Sequence, residues 1–263
     1  MAIEHGYAPV HGVDMYWERR GDGGTPLVVL GGGYHTAGMI APLLDELAAG
    51  RQVIALELQG HGHTPDVDRP FSWEALADDV AASIGDRQAD LLGCSLGGGV
   101  ALRCALRHPD RVRRLVLVSA PVRRAGWVAS TLVGFDNMDR TQTAFLLESP
   151  LFAAWAAVAP DPDPEGFRRL IDRTGALLRL PYDWGDEAGR LPMPVLLVYA
   201  DGDAIPTAHA AEFFALLGGG TDDPGWEESG PRPRQLAILP GQTHYDVFAS
   251  AALPPIVDAF LRQ

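Results

Sequence analysis

At 263 residues, 47% of them hydrophobic, the chain is long enough to bury a sizeable core. Its formal net charge of −13, from 21 Lys+Arg against 34 Asp+Glu, argues against nucleic acid and anionic membranes as partners and leaves a small molecule. Two cysteines, Cys94 and Cys104, make no disulfide framework or zinc spacing. MAIEHGYAPV at the N-terminus lacks the basic and apolar regions of a signal peptide, and no apolar run reaches the ~18 residues of a membrane helix, so a cytoplasmic protein is expected.

In chain order, strands are predicted over 13–19, 26–30, 52–56, 89–93, 114–119, 194–200 and 235–239. Helical patterns lie between them at 38–49, 72–84, 96–107, 207–217 and 250–262. Most of the later strands are apolar throughout, as a sheet covered on both faces requires. The alternation predicts an α/β fold with a doubly wound, mostly parallel sheet. It breaks between 121 and 190, a helical stretch rich in large apolar side chains and cut by Pro160, Pro162 and Pro164. That stretch is expected to be an insertion over one edge of the sheet. The segment 218–234 has Gly, Pro and acids without a period, and is long for a loop in a compact domain, so it is either functional or mobile.

The chemistry starts at LLGCSLGGGVAL (91–102). A serine is a poor nucleophile unless its backbone holds it out and a base takes its proton. A sharp strand-to-helix turn does the first, and tolerates only small residues two places before and two after the serine. Gly93 and Gly97 hold those places around Ser95. Against this stands a plain Gly-rich helix start with Ser95 as its N-cap, but the strand before and the helix after favour the nucleophile. For Cys94 the flanking places are Leu92 and Leu96, too large for the turn, so Cys94 is read as a packing residue.

A base and an acid should follow at the ends of later strands. His108 ends the helix that Ser95 begins, and His209 falls in a predicted helix and is expected at the surface. His244 lies after the last strand, at the carboxyl edge where a doubly wound sheet presents its site, and is taken as the general base. YADGDAIP, after strand 194–200, offers Asp201 and Asp203 as the acid that orients the imidazole. Asp246 is read as a surface residue. The oxyanion needs fixed donors: the N–H of Leu96, next after the serine, and that of Gly33 in the glycine run 31–33.

Taken together, the glycine loop 31–33, LQGHGHT (58–64), GCSLGGGVAL, HPDRVRRLVLVSAP (108–121), YADGDAIP and GQTHYDVF resemble the α/β-hydrolase superfamily over nearly the whole chain. The resemblance implies one domain, with a core of 1–120 and 191–263 around a helical cap of 121–190 that shapes the pocket. Aligned on Ala200 and Pro206, it favours Asp203 over Asp201 as the acid. Many members carry His-Gly at the oxyanion loop; here Gly31 stands in that histidine's place, and His35, four residues on, is expected to line the pocket. Tyr34, Trp127 and Trp155 are the other expected substrate-binding residues.

The expected activity is hydrolysis of a carboxylic ester or lactone of a small, largely apolar substrate through an acyl-enzyme, with no metal or cofactor. Thioesterase, carbon–carbon hydrolase and perhydrolase or haloperoxidase-like chemistry keep the same serine machinery. A slow-turnover binding protein uses the same pocket. A metallohydrolase is the weaker rival, because HGHTPDVD (61–68) matches the H-x-H-x-D-H zinc pattern only in part. Whether the chain forms a homodimer is left open.

Overall fold

The computed structural model describes residues 2–139, 144–223, 225–226, 230 and 232–263. Eight strands form one sheet in the order β1-β2-β4-β3-β5-β6-β7-β8. In the chain they are β1 (Ile3–Val10), β2 (Val13–Arg20), β3 (Leu27–Leu30), β4 (Val53–Leu56), β5 (Ala89–Cys94), β6 (Val112–Val118), β7 (Val195–Gly202) and β8 (Arg234–Thr243). The pairs β1–β2 and β2–β4 are antiparallel and the rest are parallel. The helices between them are α1 (Ala41–Leu47), α2 (Trp73–Ile84) and α3 (Leu96–Arg107), then α4 (Ala129–Asp136), α5 (Ala144–Leu147), α6 (Pro150–Ala156), α7 (Pro164–Arg179) and α8 (Gly185–Ala188), and finally α9 (Thr207–Leu216) and α10 (Leu253–Leu261).

The continuous apolar runs divide by parity between two cores. Val28, Leu30, Leu91, Leu115 and Leu117 face the side carrying α2, α3 and α9, while Val29, Leu92, Val116 and Val118 face α1 and α10. Alternate side chains of a strand leave opposite faces, so a sheet covered twice needs no polar positions along its centre. Each fully buried Leu or Val contributes roughly 1.5–3 kcal/mol.

Two points differ from the expected elements. β1 was not anticipated. Its side chains are mostly exposed, so burial imposed no apolar pattern on it; it joins β2 through a turn at His11 and Gly12, whose φ angles of 44° and 86° suit a two-residue hairpin. α1 begins at Ala41, not 38, with Pro42 in its first turn. The inserted helices α4–α8 lie over the carboxyl edge of the sheet. Their core, with Trp155, Phe167 and Leu170, takes in Tyr34 from the loop after β3, and Trp155 Nε1 donates to the carbonyl of Gly60 after β4 at 2.9 Å. They cover the carboxyl ends of central strands.

β3 is the pivot of the sheet. The chain runs from β3 outward to β4, then returns to lay β5 on the other side of β3. The crevice at such a reversal is where an open α/β sheet receives ligands, and the loops after β3 and β5 both open onto it.

Candidate active site

Ser95 stands between β5 and α3 with φ 51° and ψ −114°, strained for a residue with a side chain. Its N–H is held by the carbonyl of Val118, and its carbonyl accepts from Gly99, both at 2.9 Å. The turn closes tightly. A Cβ on Gly93 would sit 2.3 Å from the carbonyl oxygen of Gly97, and one on Gly97 2.3 Å from that of Gly31. Both obstacles are backbone, so nothing there can swing aside. Cys94 is buried, and burial, followed by the nearby Asp203 charge, pushes its thiol far up, away from the thiolate a nucleophile needs.

Three residues from separate strand ends meet in a line. His244 Nε2 lies 3.0 Å from Ser95 Oγ, and His244 Nδ1 lies 2.8 Å from Asp203 Oδ1. The Asp203 side chain is fully buried and that of His244 is 12% exposed. The carboxylate partner assigns the proton to Nδ1, which leaves Nε2 to accept from the serine hydroxyl. Burial works to raise the Asp203 carboxyl, but hydrogen bonds from His244, Ser119 and the Ala200 N–H outweigh it and hold the group below its usual range. Asp201 is exposed, and Asp246 closes a turn by accepting from the N–H and hydroxyl of Thr243.

The glycine loop after β3 faces this line. Gly32, Gly33, Ser95, Leu96 and His244 all open onto one cavity of about 860 Å³. The Gly32 N–H is committed to His35 Nδ1 at 3.2 Å. Leu96 is the first residue of α3, where backbone N–H groups have no partner within the helix. His35 fills the space that Gly31 leaves: a Cβ on Gly31 would fall 2.8 Å from the Cβ of His35. Burial, with His61 and His244 adding, lowers His35 to about 4, so it is a neutral imidazole.

Of the expected pocket residues, Tyr34, His35 and Trp127 line the cavity, and Trp127 meets the His244 ring edge-on at 5.3 Å. Trp155 does not. It is packed with Phe152 and Phe167 in the core of the inserted helices and is spent on Gly60. Phe135, Leu178 and Phe248 supply apolar lining that sequence reasoning did not pick out.

His209 is not at the surface. It is 7% exposed; its Nε2 accepts from the Val122 N–H at 3.3 Å and its Nδ1 faces Glu212 at 2.9 Å, so it fastens the start of the insertion to α9. His108 caps α3 and faces Asp78. The zinc-like segment is used differently: His61 Nδ1 faces the Gln59 carbonyl and His63 Nδ1 faces Glu57. Among the described residues no group of three or more His, Cys, Asp or Glu is placed to hold a metal. The described residues of 218–234 do not line the cavity; 224, 227–229 and 231 lie outside the described residues.

Two residues escaped the sequence reading. Ser119, at the end of β6 with φ 49°, donates its hydroxyl to Asp203 Oδ2. Buried Glu57 accepts from the N–H groups of Ala37 at 2.7 Å and His63 at 2.6 Å, tying the loop after β3 to the loop after β4. A carboxylate ending an apolar strand was the available signal for Glu57; Ser119 gave none.

An open, mostly parallel sheet with a serine at its central strand-to-helix turn, followed in the chain by an acid and a histidine, defines the class of α/β hydrolases. The comparisons with known proteins agree. The chain matches the family described as the alpha/beta hydrolase fold over residues 25–217, and it belongs to that family. It is similar to the pimeloyl-[acyl-carrier protein] methyl ester esterase of Neisseria meningitidis serogroup B, 51% identical over 195 residues that cover 67% of this chain and 74% of that one. The serogroup A protein of the same name is 36% identical over 191 residues, and the match spans 65% of this chain and 60% of the relative. The 2-hydroxymuconate semialdehyde hydrolase of a Pseudomonas species is 30% identical over 223 residues, 67% of this chain and 78% of that one. Among solved structures, an alpha/beta hydrolase enzyme from a Medee basin deep-sea metagenome library superposes with a TM-score of 0.76 at 14% identity, covering 97% of this chain and 96% of the other.

Proposed function

We propose that the protein is a serine hydrolase that cleaves a carboxylic ester or lactone of a small, largely apolar substrate. The observation that carries this is the hydrogen-bonded run Ser95–His244–Asp203 opening onto an apolar cavity beside a glycine loop. Relatives named as methyl ester esterases support the bond type.

Ser95 Oγ attacks the carbonyl carbon while His244 Nε2 takes its proton, and Asp203 stabilises the imidazolium. The N–H groups of Leu96 and Gly33 hold the oxyanion. The imidazolium then gives its proton to the leaving alkoxide as the tetrahedral intermediate collapses to an acyl-enzyme. Water, deprotonated by His244, attacks the acyl carbon and releases the acid and Ser95. Tyr34, His35 and Trp127 wall the substrate, and α4–α8 act as a cap within a single domain. No metal or cofactor enters any step. A cytoplasmic location fits the two free cysteines, and among the described residues no helix is long and apolar enough to cross a membrane.

The test is labelling by a fluorophosphonate, read by intact mass, on wild type and Ser95→Ala, beside hydrolysis of short- and medium-chain aryl esters. Stoichiometric labelling that requires Ser95, with turnover, is expected. A folded protein that neither labels nor turns over refutes the assignment. Similarity to a hydrolase of 2-hydroxymuconate semialdehyde makes carbon–carbon bond cleavage the second reading. Labelling of Ser95 without hydrolysis of any ester selects it.

A further inference from the structure

The buried face of α7 carries one polar anomaly. Phe167, Leu170, Ile171, Leu177 and Leu178 follow the helical period and are buried among apolar groups, and Thr174 falls on the same face at 1% exposure. Its hydroxyl oxygen is buried without a hydrogen-bond partner, not even the carbonyl one turn back that a helical threonine ordinarily takes. Thr174 lines the same cavity as Ser95, from the opposite, inserted side.

Tyr34 adds a second hydroxyl there. Its Oη donates to Met138 Sδ at 3.4 Å, a weak thioether acceptor. Burial pushes the phenol up, and the Thr174 hydroxyl beside it works to lower it. The segment carrying Met138 is drawn down by Gly175, where any Cβ would fall 2.2 Å from the Met138 carbonyl oxygen. Tyr34 is also buried, in contact with Phe167 and the inserted core. These two neighbouring hydroxyls keep unused capacity and face a largely apolar chamber whose α4 wall also carries Ser130 and Thr131. Buried polar groups are ordinarily paired, so an unpaired one at a cavity wall marks a place for a ligand's partner group. No Arg is among the described lining residues, and the sequence contains no Lys, so these hydroxyls offer dipoles without a cation.

We propose that Tyr34 Oη and Thr174 Oγ1 form a polar subsite that receives an uncharged hydrogen-bonding group, a ketone, hydroxyl or amide, carried partway along the substrate's apolar arm. The inference rests on the hydrolase reading for its assay. A purely hydrocarbon arm leaves the two hydroxyls with only each other and a thioether, and a site built around polar groups rejects an analogue that lacks their partner. Among the described lining residues no cation is placed to hold a carboxylate arm.

The experiment compares p-nitrophenyl hexanoate with its 3-, 4- and 5-oxo analogues and with the monoester of adipic acid. It also compares hexyl acetate with its 3-, 4- and 5-oxohexyl counterparts. Wild type is expected to prefer at least one oxo member over its parent in kcat/KM by about tenfold, and to use the adipate monoester least. In Thr174→Val, which keeps the side-chain shape, that ratio is expected to fall to about one, and in Tyr34→Phe to fall in part. The ratio cancels any general loss of activity. Absence of preference for every oxo member overturns the proposal, as does a preference unchanged in Thr174→Val. Fluorophosphonate labelling in the same preparations separates the two readings. If Ser95 labels and no preference exists, the subsite alone is wrong. If Ser95 does not label, the subsite is read from the rise in Tm with 2-heptanone against 1-heptene, and equal shifts overturn it.

Discussion

The turn at Ser95 and the helices that cover it are built by opposite rules. At the turn, backbone presses on backbone: glycine is enforced at 93 and 97 by carbonyl oxygens 2.3 Å from where a Cβ would sit. Over it, α4 has no buried residue and forms one wall of the cavity with Ser130, Thr131, Gly134 and Phe135. The first region tolerates almost no change of shape, and the second fixes little beyond an apolar surface. On the proposed reading the sheet carries the chemistry and the insertion contributes to the choice of substrate, a division that variants can break.

The largest effect is expected from Ser95→Ala, which should lower kcat on the order of 10⁶-fold and abolish fluorophosphonate labelling. Asp203→Asn should cost about 10⁴-fold in kcat by holding His244 in the wrong tautomer, while exposed Asp201→Asn stays near wild type. If the two aspartates exchange these outcomes, the acid is misassigned. Gly97→Ala should destabilise by about 3 kcal/mol or more, or leave no soluble protein, in urea unfolding. Gly134→Ala in α4, where a Cβ meets nothing within 4 Å, should lose no stability in the same measurement.

His35 sharpens the comparison through pH. Its folded-state pKa of about 4 is below the unfolded value, so the unfolded chain binds a proton that the folded one refuses. Stability from this group is fully present above about pH 6.5 and falls as pH drops, by roughly 3 kcal/mol by pH 4. Urea unfolding at pH 7 and 4.5 should show that decline reduced in His35→Gln. A smaller loss is expected from Ser119→Ala. Losing this donor to Asp203 should raise the carboxyl and cost roughly 1 kcal/mol at pH 7. Because Asp203 is held low, its contribution exists above the unfolded carboxylate range and disappears as pH falls through the folded value. The difference between Ser119→Ala and wild type should shrink on acidification.

The same division explains what the sequence discloses. Ser95 between its glycines is legible because a steric demand on backbone leaves only one residue type at each place. The central strands are legible because burial on both faces leaves long apolar runs, with polar residues such as Asp90, Arg113 and Arg114 confined to the first residues of a strand. β1 is silent because exposure demands nothing of its sequence. The pocket is illegible for a different reason: an aromatic residue on an inserted helix reads alike whether it walls a cavity, as Trp127 does, or packs beneath it, as Trp155 does. His209 misleads for a similar reason, since its helix shows little one-sidedness and one of its two partners, Val122, lies 87 residues away in the chain.

The geometry at Gly31 and His35 has a consequence for descent. An imidazole rooted at 31 and one rooted at 35 compete for the same volume, since a Cβ at 31 would meet the Cβ of His35 at 2.8 Å. The two positions are therefore one berth with two moorings. Gly31→His is expected to be harmful alone and tolerable only when residue 35 is emptied in the same step. A comparison made column by column reads the glycine as a lost support. One made in space finds an imidazole beside residue 31, supplied from four residues along the chain.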